Sequence, residues 1–233
     1  MKKLTNSELI KTIEELESYI YNNEVSHLAH YTSPEGLESI IKYRTLRFTH
    51  SKYLNDKSEG KLIYELLDSY LDNFSFSKEF VNKVREVLID ELSPIEVFLK
   101  GQENPNFKSN YYQSKQTAFL CCFSLDWDSL AMWNYYTKNQ NSIGFNLCLK
   151  KNELVSRINN GIKSYSVITT SVYYEDEIQE EIVTKILKQF YDMWTRADNN
   201  KDAVIDYFAD FVDSIKYAFK IRVFLSFKKN FNR

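Results

Sequence analysis

The sequence predicts an α+β fold, with a small mixed or antiparallel sheet, surrounding helices and a helical insertion. Apolar residues recur at helical spacing over long stretches, and short apolar and β-branched runs of strand length lie between them. A charged, helical middle block stands apart from both. Hydrophobic residues make up 43% of the 233 residues, which is enough for a substantial core. We therefore expect one α+β domain spanning residues 1–233, with its core motifs in residues 27–150.

In the first half of the chain, helix caps and apolar stripes define the predicted elements. The first helical stripe consists of Leu9, Ile10, Ile13, Leu16 and Ile20. Ser33 precedes Pro34, which is typical of a helix start, and Asn55 with Asp56 can cap the next helix. The predicted elements are, in order, a helix at 7–21, a strand at 27–31, a helix at 34–43, a strand at 46–49 and a helix at 58–71.

In the second half, a helical excursion comes first and a helical pair at 177–220 comes last. The continuous apolar run at 118–123 predicts a buried strand. Asp126 or Asp128 is predicted to cap the helix that follows this strand. The remaining predicted elements are the excursion at about 77–100, a loop at 101–116, a turn at 139–142, strands at 143–149, 167–174 and 223–227, and helices at 177–194 and 201–220.

Composition and charge argue against several classes of protein. The formal net charge is −2, so the whole protein has no electrostatic reason to bind DNA, RNA or an acidic membrane. The three cysteines lack zinc-site spacing and argue against a disulfide scaffold. The N-terminal segment leads into an amphipathic helix, and no apolar run is long enough to span a bilayer. We therefore expect a cytoplasmic protein that uses no metal and no membrane.

The first candidate site is His30-Tyr31-Thr32, where a predicted strand meets a capped helix. Free backbone N–H groups at such a helix start can bind phosphate. His30 can hydrogen-bond a ribose hydroxyl or a phosphate, and Tyr31 can stack on a ring. The alternative is a half-buried histidine at a strand edge.

The second candidate is the group Asn55, Asp56 and Glu59. Glu59 follows Asp56 by three residues, which is also the spacing of a helix capping box. The group is therefore interpreted either as ligand-binding and catalytic residues or as a plain helix cap. A metal-dependent nuclease using Asp56, Glu59 and the acidic cluster at 175–177 is a further alternative. That cluster is otherwise typical of a solvated helix start.

The third candidate is Ser124 with Trp133 and Tyr136. Ser124 lies where the strand predicted at 118–123 gives way to a helix, so it can bind a ligand or cap that helix. Trp133 and Tyr136 are three residues apart and share one helix face. Their alternative role, which Met132 shares, is packing of the helix on the sheet. We predict that the three candidates form one polar site.

In order along the chain, these motifs resemble the bacterial family called domain of unknown function 2971. That family shows an H-Y-T opening, a G-x-L stretch, N-D-x-x-E, C-F-S, M-W-x-x-Y and a Gly-Phe strand. The order and spacing match over residues 28–149. The corresponding residues here are His30-Tyr31-Thr32, Thr45-Leu46-Arg47, Asn55-Asp56 with Glu59, Cys122-Phe123-Ser124, Met132-Trp133 with Tyr136, and Gly144-Phe145.

The opening of this motif set is similar to that of ADP-ribosyltransferases. The resemblance implies that His30 binds the ribose of NAD, and that Tyr31 or Tyr53 stacks near the nicotinamide. In such enzymes a glutamate stabilises the oxocarbenium-like transition state. The resemblance therefore implies a nucleotide-binding, NAD-dependent ADP-ribosyltransferase that acts as a bacterial toxin or phage-defence effector, on a protein or nucleic-acid target.

The C-terminal sequence departs from the family pattern. Members carry an S-F-K strand followed by E-x-E-[WY]-R, whereas this sequence ends with Ser226 to Arg233 and has no carboxylate side chain after Asp213. If that glutamate is the catalytic one, this chain is expected to be a truncated, inactive form, with Glu59 as the substitute candidate. The alternative function is therefore a non-catalytic ligand- or protein-binding module of the same family.

Overall fold

The chain divides into two compact units. The computed structural model describes residues 3–21, 25–54, 60–92, 118–137, 143–161, 167 and 169–220. The first unit, which we call the helical unit, draws on Met1–Tyr21, Asp56–Lys115 and Thr170–Arg233. The second, the sheet unit, draws on Asn22–Asn55 and Gln116–Thr169. The segment predicted as an excursion from the sheet therefore belongs with the N- and C-terminal helices.

The α+β fold class predicted from the sequence is confirmed. The first strand pairs with the fourth and the second pairs with the third, and both pairs are antiparallel. The described strands are β1 (His27–Thr32), β2 (Thr49–His50), β3 (Phe119–Leu120) and β4 (Phe145–Lys150). The described α-helices are α1 (Asn6–Tyr21), α2 (Pro34–Tyr43), α3 (Leu62–Leu71), α4 (Lys78–Leu92), α5 (Leu130–Thr137), α6 (Lys151–Gly161), α7 (Asp176–Arg196) and α8 (Lys201–Ile215).

The helical unit is built on fully buried apolar faces of α1, α3, α4, α7 and α8. Phe190 of α7 lies against Phe208 and Phe211 of α8, with ring centroids 5.2 and 5.6 Å apart. On α1, Leu16 is buried but Ile10 is exposed, so the buried stripe is narrower than predicted. This unit therefore has the continuous apolar core expected of packed amphipathic helices.

In the sheet unit, β1 has hydrogen-bonded partners on both edges. Its ladder with β4 covers all of its residues, from His27 to Thr32. On the other edge, Ala29 and Ser124 exchange two backbone hydrogen bonds of 2.8 Å. The segment that precedes α5 is thereby placed beside β1, although it is not part of a continuous strand.

The capping signals at α2 are confirmed. Ser33 Oγ accepts a hydrogen bond of 3.1 Å from the backbone N–H of Gly36, and Pro34 lies in the first turn. At the other end, Arg44 adopts a left-handed conformation with φ 55°, and its N–H donates to the carbonyl of Ile40. None of the side chains of α2 is buried, so this helix is specified by its ends more than by core packing.

The buried strand predicted at 118–123 is mostly wrong. Only β3 forms there, and it pairs with β2 through Thr49–Leu120 and His50–Phe119. Phe119 is 49% exposed, so the run is not a core strand. β2 itself lies at the end of the strand predicted at 46–49.

The strand predicted at 167–174 does not form among its described residues. Tyr173 makes only an isolated parallel bridge with Phe219. The carbonyl of Tyr173 accepts hydrogen bonds from the backbone N–H of Lys220 and from Gln179 Nε2. The β-branched residues of this run favour a strand, but within the described part of the chain no ladder forms beyond this bridge.

The other element boundaries differ locally. The helix predicted at 58–71 begins at Leu62, because Gly60, with φ 79°, and Lys61 form a turn before it. α8 ends at Ile215, and a 3₁₀ turn over Lys216–Ala218 replaces its predicted last residues. The predicted loop at 101–116, the turn at 139–142 and the strand at 223–227 lie outside the described residues.

Candidate functional site

Two of the three candidate motifs meet around β1. Successive side chains of a strand point to opposite faces, so Tyr31 and Ala29 lie on one face and His30 on the other. The ring of Phe123 lies beside His30, with centroids 5.5 Å apart. The ring of Trp133 lies against Tyr31. The predicted polar site is therefore distributed over two faces of the β1–β4 ladder.

Tyr31 is a buried structural residue. Its side chain is 2% exposed, and its hydroxyl donates to the carbonyl of Asp126 at 2.9 Å. The same hydroxyl accepts a hydrogen bond of 2.8 Å from the backbone N–H of Ser129. Because the ring is enclosed and the hydroxyl is engaged within the protein, Tyr31 does not offer a stacking surface to a ligand, contrary to the sequence interpretation.

Ser124 acts in the turn that leads to α5. Its Oγ accepts a hydrogen bond of 3.0 Å from the backbone N–H of Asp126. Asp126 Oδ1 in turn accepts a hydrogen bond of 2.9 Å from the N–H of Asp128. These are the local side-chain-to-backbone bonds that Ser and Asp favour in turns. The sequence predicted that Ser124 either binds a ligand or caps the helix. In the structure its hydroxyl instead stabilises the turn before the helix.

Trp133 and Tyr136 pack α5 on Tyr31. Trp133 meets Tyr31 edge-on at 4.8 Å, and Tyr136 stacks on it at 6.3 Å. Trp133 Nε1 donates to Asp128 Oδ1 at 3.0 Å, which satisfies the indole. Burial raises the pKa of Tyr136 above its usual value. This arrangement corresponds to the packing alternative foreseen for the helix.

Close backbone approaches explain the two glycines of this region. A Cβ on Gly36 would overlap Thr32 Oγ1, so the first turn of α2 passes directly over Thr32. A Cβ on Gly144 would lie 2.6 Å from Thr137 Cγ2, at the end of α5. Thr32 is itself buried, so little of its side chain is accessible for the ligand contact predicted from the sequence.

His30 has the environment of a neutral histidine. Burial lowers its pKa below the ordinary value of 6.5, while a hydrogen bond to the Cys122 backbone opposes that shift. A neutral imidazole has one donor and one acceptor nitrogen. If the ring N–H donates to the Cys122 carbonyl, the other nitrogen is an acceptor. The nearby thiol of Cys121 is a poor nucleophile, because burial raises its pKa to about 11.

Tyr53 belongs to an exposed aromatic cluster that sequence analysis identified only in part. Its side chain is 74% exposed and lies edge-on to His50 at 5.7 Å. His50 also meets Phe119 across the β2–β3 pair at 5.2 Å. The missed signal was the spacing of His50 and Tyr53, three residues apart before a helix, but the contribution of Phe119 depends on strand pairing.

The second candidate motif cannot be placed. Asn55, Asp56 and Glu59 all lie outside the described residues. Among the residues that the structure does describe, no group of three or more His, Cys, Asp or Glu side chains is arranged to hold a metal ion.

Within the described ranges, no helix combines the length and the apolar character that crossing a membrane requires.

Comparison with known proteins identifies no relative, since no family model, curated protein or solved structure matches this chain.

Proposed function

We propose that the sheet unit binds a nucleotide, with NAD as the first candidate, and that the protein is an ADP-ribosyltransferase-like enzyme. The observation that carries this proposal is the cluster of Tyr53, His50 and Phe119, in which the rings of Tyr53 and Phe119 are exposed. An exposed aromatic ring offers a stacking surface for a base or a nicotinamide. In a bacterial toxin or phage-defence effector, the acceptor would be a protein or a nucleic acid.

The chain connects this cluster to His30. Phe119 and Phe123 are four residues apart, so in an extended segment they are separated by roughly 13 Å. Phe123 packs beside His30. A ligand with a ring at Tyr53 and a ribose near His30 would therefore follow the segment from Phe119 to Phe123. A ribose hydroxyl can donate to the acceptor nitrogen of a neutral His30.

Transfer of ADP-ribose breaks the bond between the ribose and the nicotinamide. A carboxylate is needed to stabilise the positive charge that develops on the sugar. In the family pattern this glutamate would lie in the C-terminal E-x-E-[WY]-R stretch, and in this chain Glu59 is the substitute candidate for the role. His30 would position the ribose, and Tyr53 would hold the ring, so neither needs to change its protonation state.

Binding of NAD to the full chain can be measured by titration calorimetry. We expect Tyr53→Ala to weaken binding about tenfold or more, because one stacked ring contributes about 1–3 kcal/mol. We expect a similar loss for His30→Ala, because a ribose hydroxyl left without its acceptor costs about 1–3 kcal/mol. The matched control is Tyr43→Ala, which removes an exposed tyrosine on α2. Equal losses in the control and the site variants, or no NAD binding at all, would refute the proposal.

Turnover is tested separately from binding. Release of nicotinamide from NAD, with cell extract as the source of acceptors, should be abolished by Glu59→Gln while NAD binding is retained. If Glu59→Gln releases nicotinamide at the rate of the unchanged protein, Glu59 is not the catalytic acid.

A non-catalytic nucleotide-binding module is the second candidate. It is favoured by the roles of Asp126 and Asp128, the carboxylates that follow the C-F-S motif. Asp126 accepts from a backbone N–H and Asp128 accepts from the indole of Trp133, so both serve the turn before α5. This candidate predicts NAD binding with the same variant pattern but without nicotinamide release.

A further inference from the structure

A concave surface lies on the face of the ladder opposite His30. Strand alternation places His27 and Ala29 on that face, and Cys148 lies opposite Ala29 on β4. Together with Leu125 and Trp127 these residues line a groove of about 330 Å³. This volume is at the lower end of the range of small-molecule pockets.

One wall of the groove is an exposed indole on a fixed backbone. Trp127 is 67% exposed, yet its carbonyl accepts a hydrogen bond of 2.6 Å from Asn146 Nδ2 on β4. The preceding carbonyl, of Asp126, accepts from the buried hydroxyl of Tyr31. The turn therefore holds the backbone of Trp127 in place, and its large planar side chain lines the groove.

The other wall is polar and oriented. Ser26 Oγ and His27 Nδ1 form a hydrogen bond of 2.9 Å, which engages one of the two ring nitrogens. The Nε2 atom of His27 is then the ring nitrogen that can meet a ligand. The exposed thiol of Cys148 lies diagonally across the ladder from His27.

We propose that this groove is a ligand site for a flat aromatic or heteroaromatic ring. The ring stacks on Trp127, and a polar edge of the ring hydrogen-bonds to His27. Such sites combine apolar and aromatic walls with a few oriented polar groups, which is the combination found here. The site is independent of the proposed nucleotide site, because His30 lies on the opposite face of β1.

Cys148 provides the test, since its thiol reports which reagents the groove accepts. The unchanged full-length protein is labelled with N-phenylmaleimide or N-methylmaleimide, and rates at each cysteine are read by peptide mass spectrometry. In both reactions the thiol sulfur bonds to an alkene carbon and a proton is taken up at the neighbouring carbon, so only the attached group differs.

We expect the ratio of phenyl to methyl rates to be at least fivefold higher at Cys148 than for glutathione under the same conditions. Trp127→Ala should return the ratio to the glutathione value. Phe145→Ala, which removes an exposed aromatic ring of β4 outside the groove, should leave it unchanged. A ratio at Cys148 equal to that of glutathione, or an elevated ratio that survives Trp127→Ala, would overturn the proposal.

Discussion

The helical unit and the sheet unit bury apolar side chains to very different extents. Among the residues that the structure describes, Ala29 and Tyr31 are the only buried hydrophobic residues of the sheet unit. All the others, including Leu67, Ile186 and Phe190, belong to the helical unit. Because apolar burial is the main favourable contribution to folding, the helical unit should be the more stable of the two.

The exposed side chains show the opposite distribution. Among its described residues, the sheet unit exposes ten large apolar side chains, which are Ile41, Tyr43, Tyr53, Phe119, Leu125, Trp127, Leu130, Tyr135, Ile143 and Phe145. Clustered exposed apolar surface marks binding sites more often than chance placement does. Among the described residues, one unit therefore supplies most of the apolar core, whereas the other exposes most of the large apolar side chains.

The largest effect should come from the core of the helical unit. Phe190→Ala removes a fully buried ring between α7 and α8, and we expect a loss of about 3–5 kcal/mol in the free energy of unfolding. Urea denaturation measures this loss. Ile178→Ala, at an exposed position of the same helix, should change stability by no more than about 0.5 kcal/mol. If both variants lose the same stability, the helical unit does not dominate the folding energy.

A smaller, local effect should follow from Tyr31→Phe in the sheet unit. The change leaves the N–H of Ser129 and the carbonyl of Asp126 without their partner, which costs about 1–3 kcal/mol. Hydrogen exchange should accelerate in β1 and β4 but not in α7 and α8. Tyr135→Phe, which removes an exposed hydroxyl, is the control. Acceleration in the helical unit as well would mean that the two units unfold together.

Gly144→Ala tests how tightly α5 is packed on the start of β4. The new Cβ would lie 2.6 Å from Thr137 Cγ2, and we expect a loss of about 1 kcal/mol or slightly more. Thr137→Ser removes that methyl group and keeps the hydroxyl that donates to the Trp133 carbonyl. The double variant should therefore recover most of the loss, as a denaturation cycle would show. Additive losses would contradict this contact.

The smallest effect should be the pH dependence due to His30. Burial lowers its pKa in the folded state below 6.5, so the unfolded chain binds the proton more readily. The neutral histidine therefore contributes stability above pH 6.5, and this is lost as the pH falls from 6.5 towards the lowered pKa. His30→Gln should flatten stability against pH in this window. The matched control is His27→Gln, and an equal flattening in both variants would contradict the prediction.

Local sequence signals predicted most of the helices correctly. α2 follows from Ser33 and Pro34, and α7 follows from its amphipathic pattern, because capping and helical periodicity depend on residues a few positions apart. The strands at 118–123 and 167–174 were predicted from composition and did not form as expected. A strand needs a partner strand, and the partner can lie far away in the chain, as β2 does from β3. Composition does not indicate which partner is present.

The candidate site shows the same division. Its motifs drew attention to Tyr31, Ser124 and Trp133, and all three lie in one neighbourhood. Their roles in turns and packing were visible only as alternatives, since nothing in a motif states whether a hydroxyl meets a ligand or a backbone carbonyl. The pairing of His50 with Phe119 and the groove at Cys148 depend on strand register, which the sequence leaves open.

The sequence by itself determined the α+β class, the start of α2 and the position of β1. Those features rest on interactions between near neighbours in the chain, so they can be read without knowing the fold. Only the tertiary structure decided that the apolar core lies in the helical unit and that Tyr31 is enclosed. It also decided that His30 and the groove lined by Trp127 lie on opposite faces of one ladder. These features depend on contacts between residues far apart in sequence, and those contacts are set by packing.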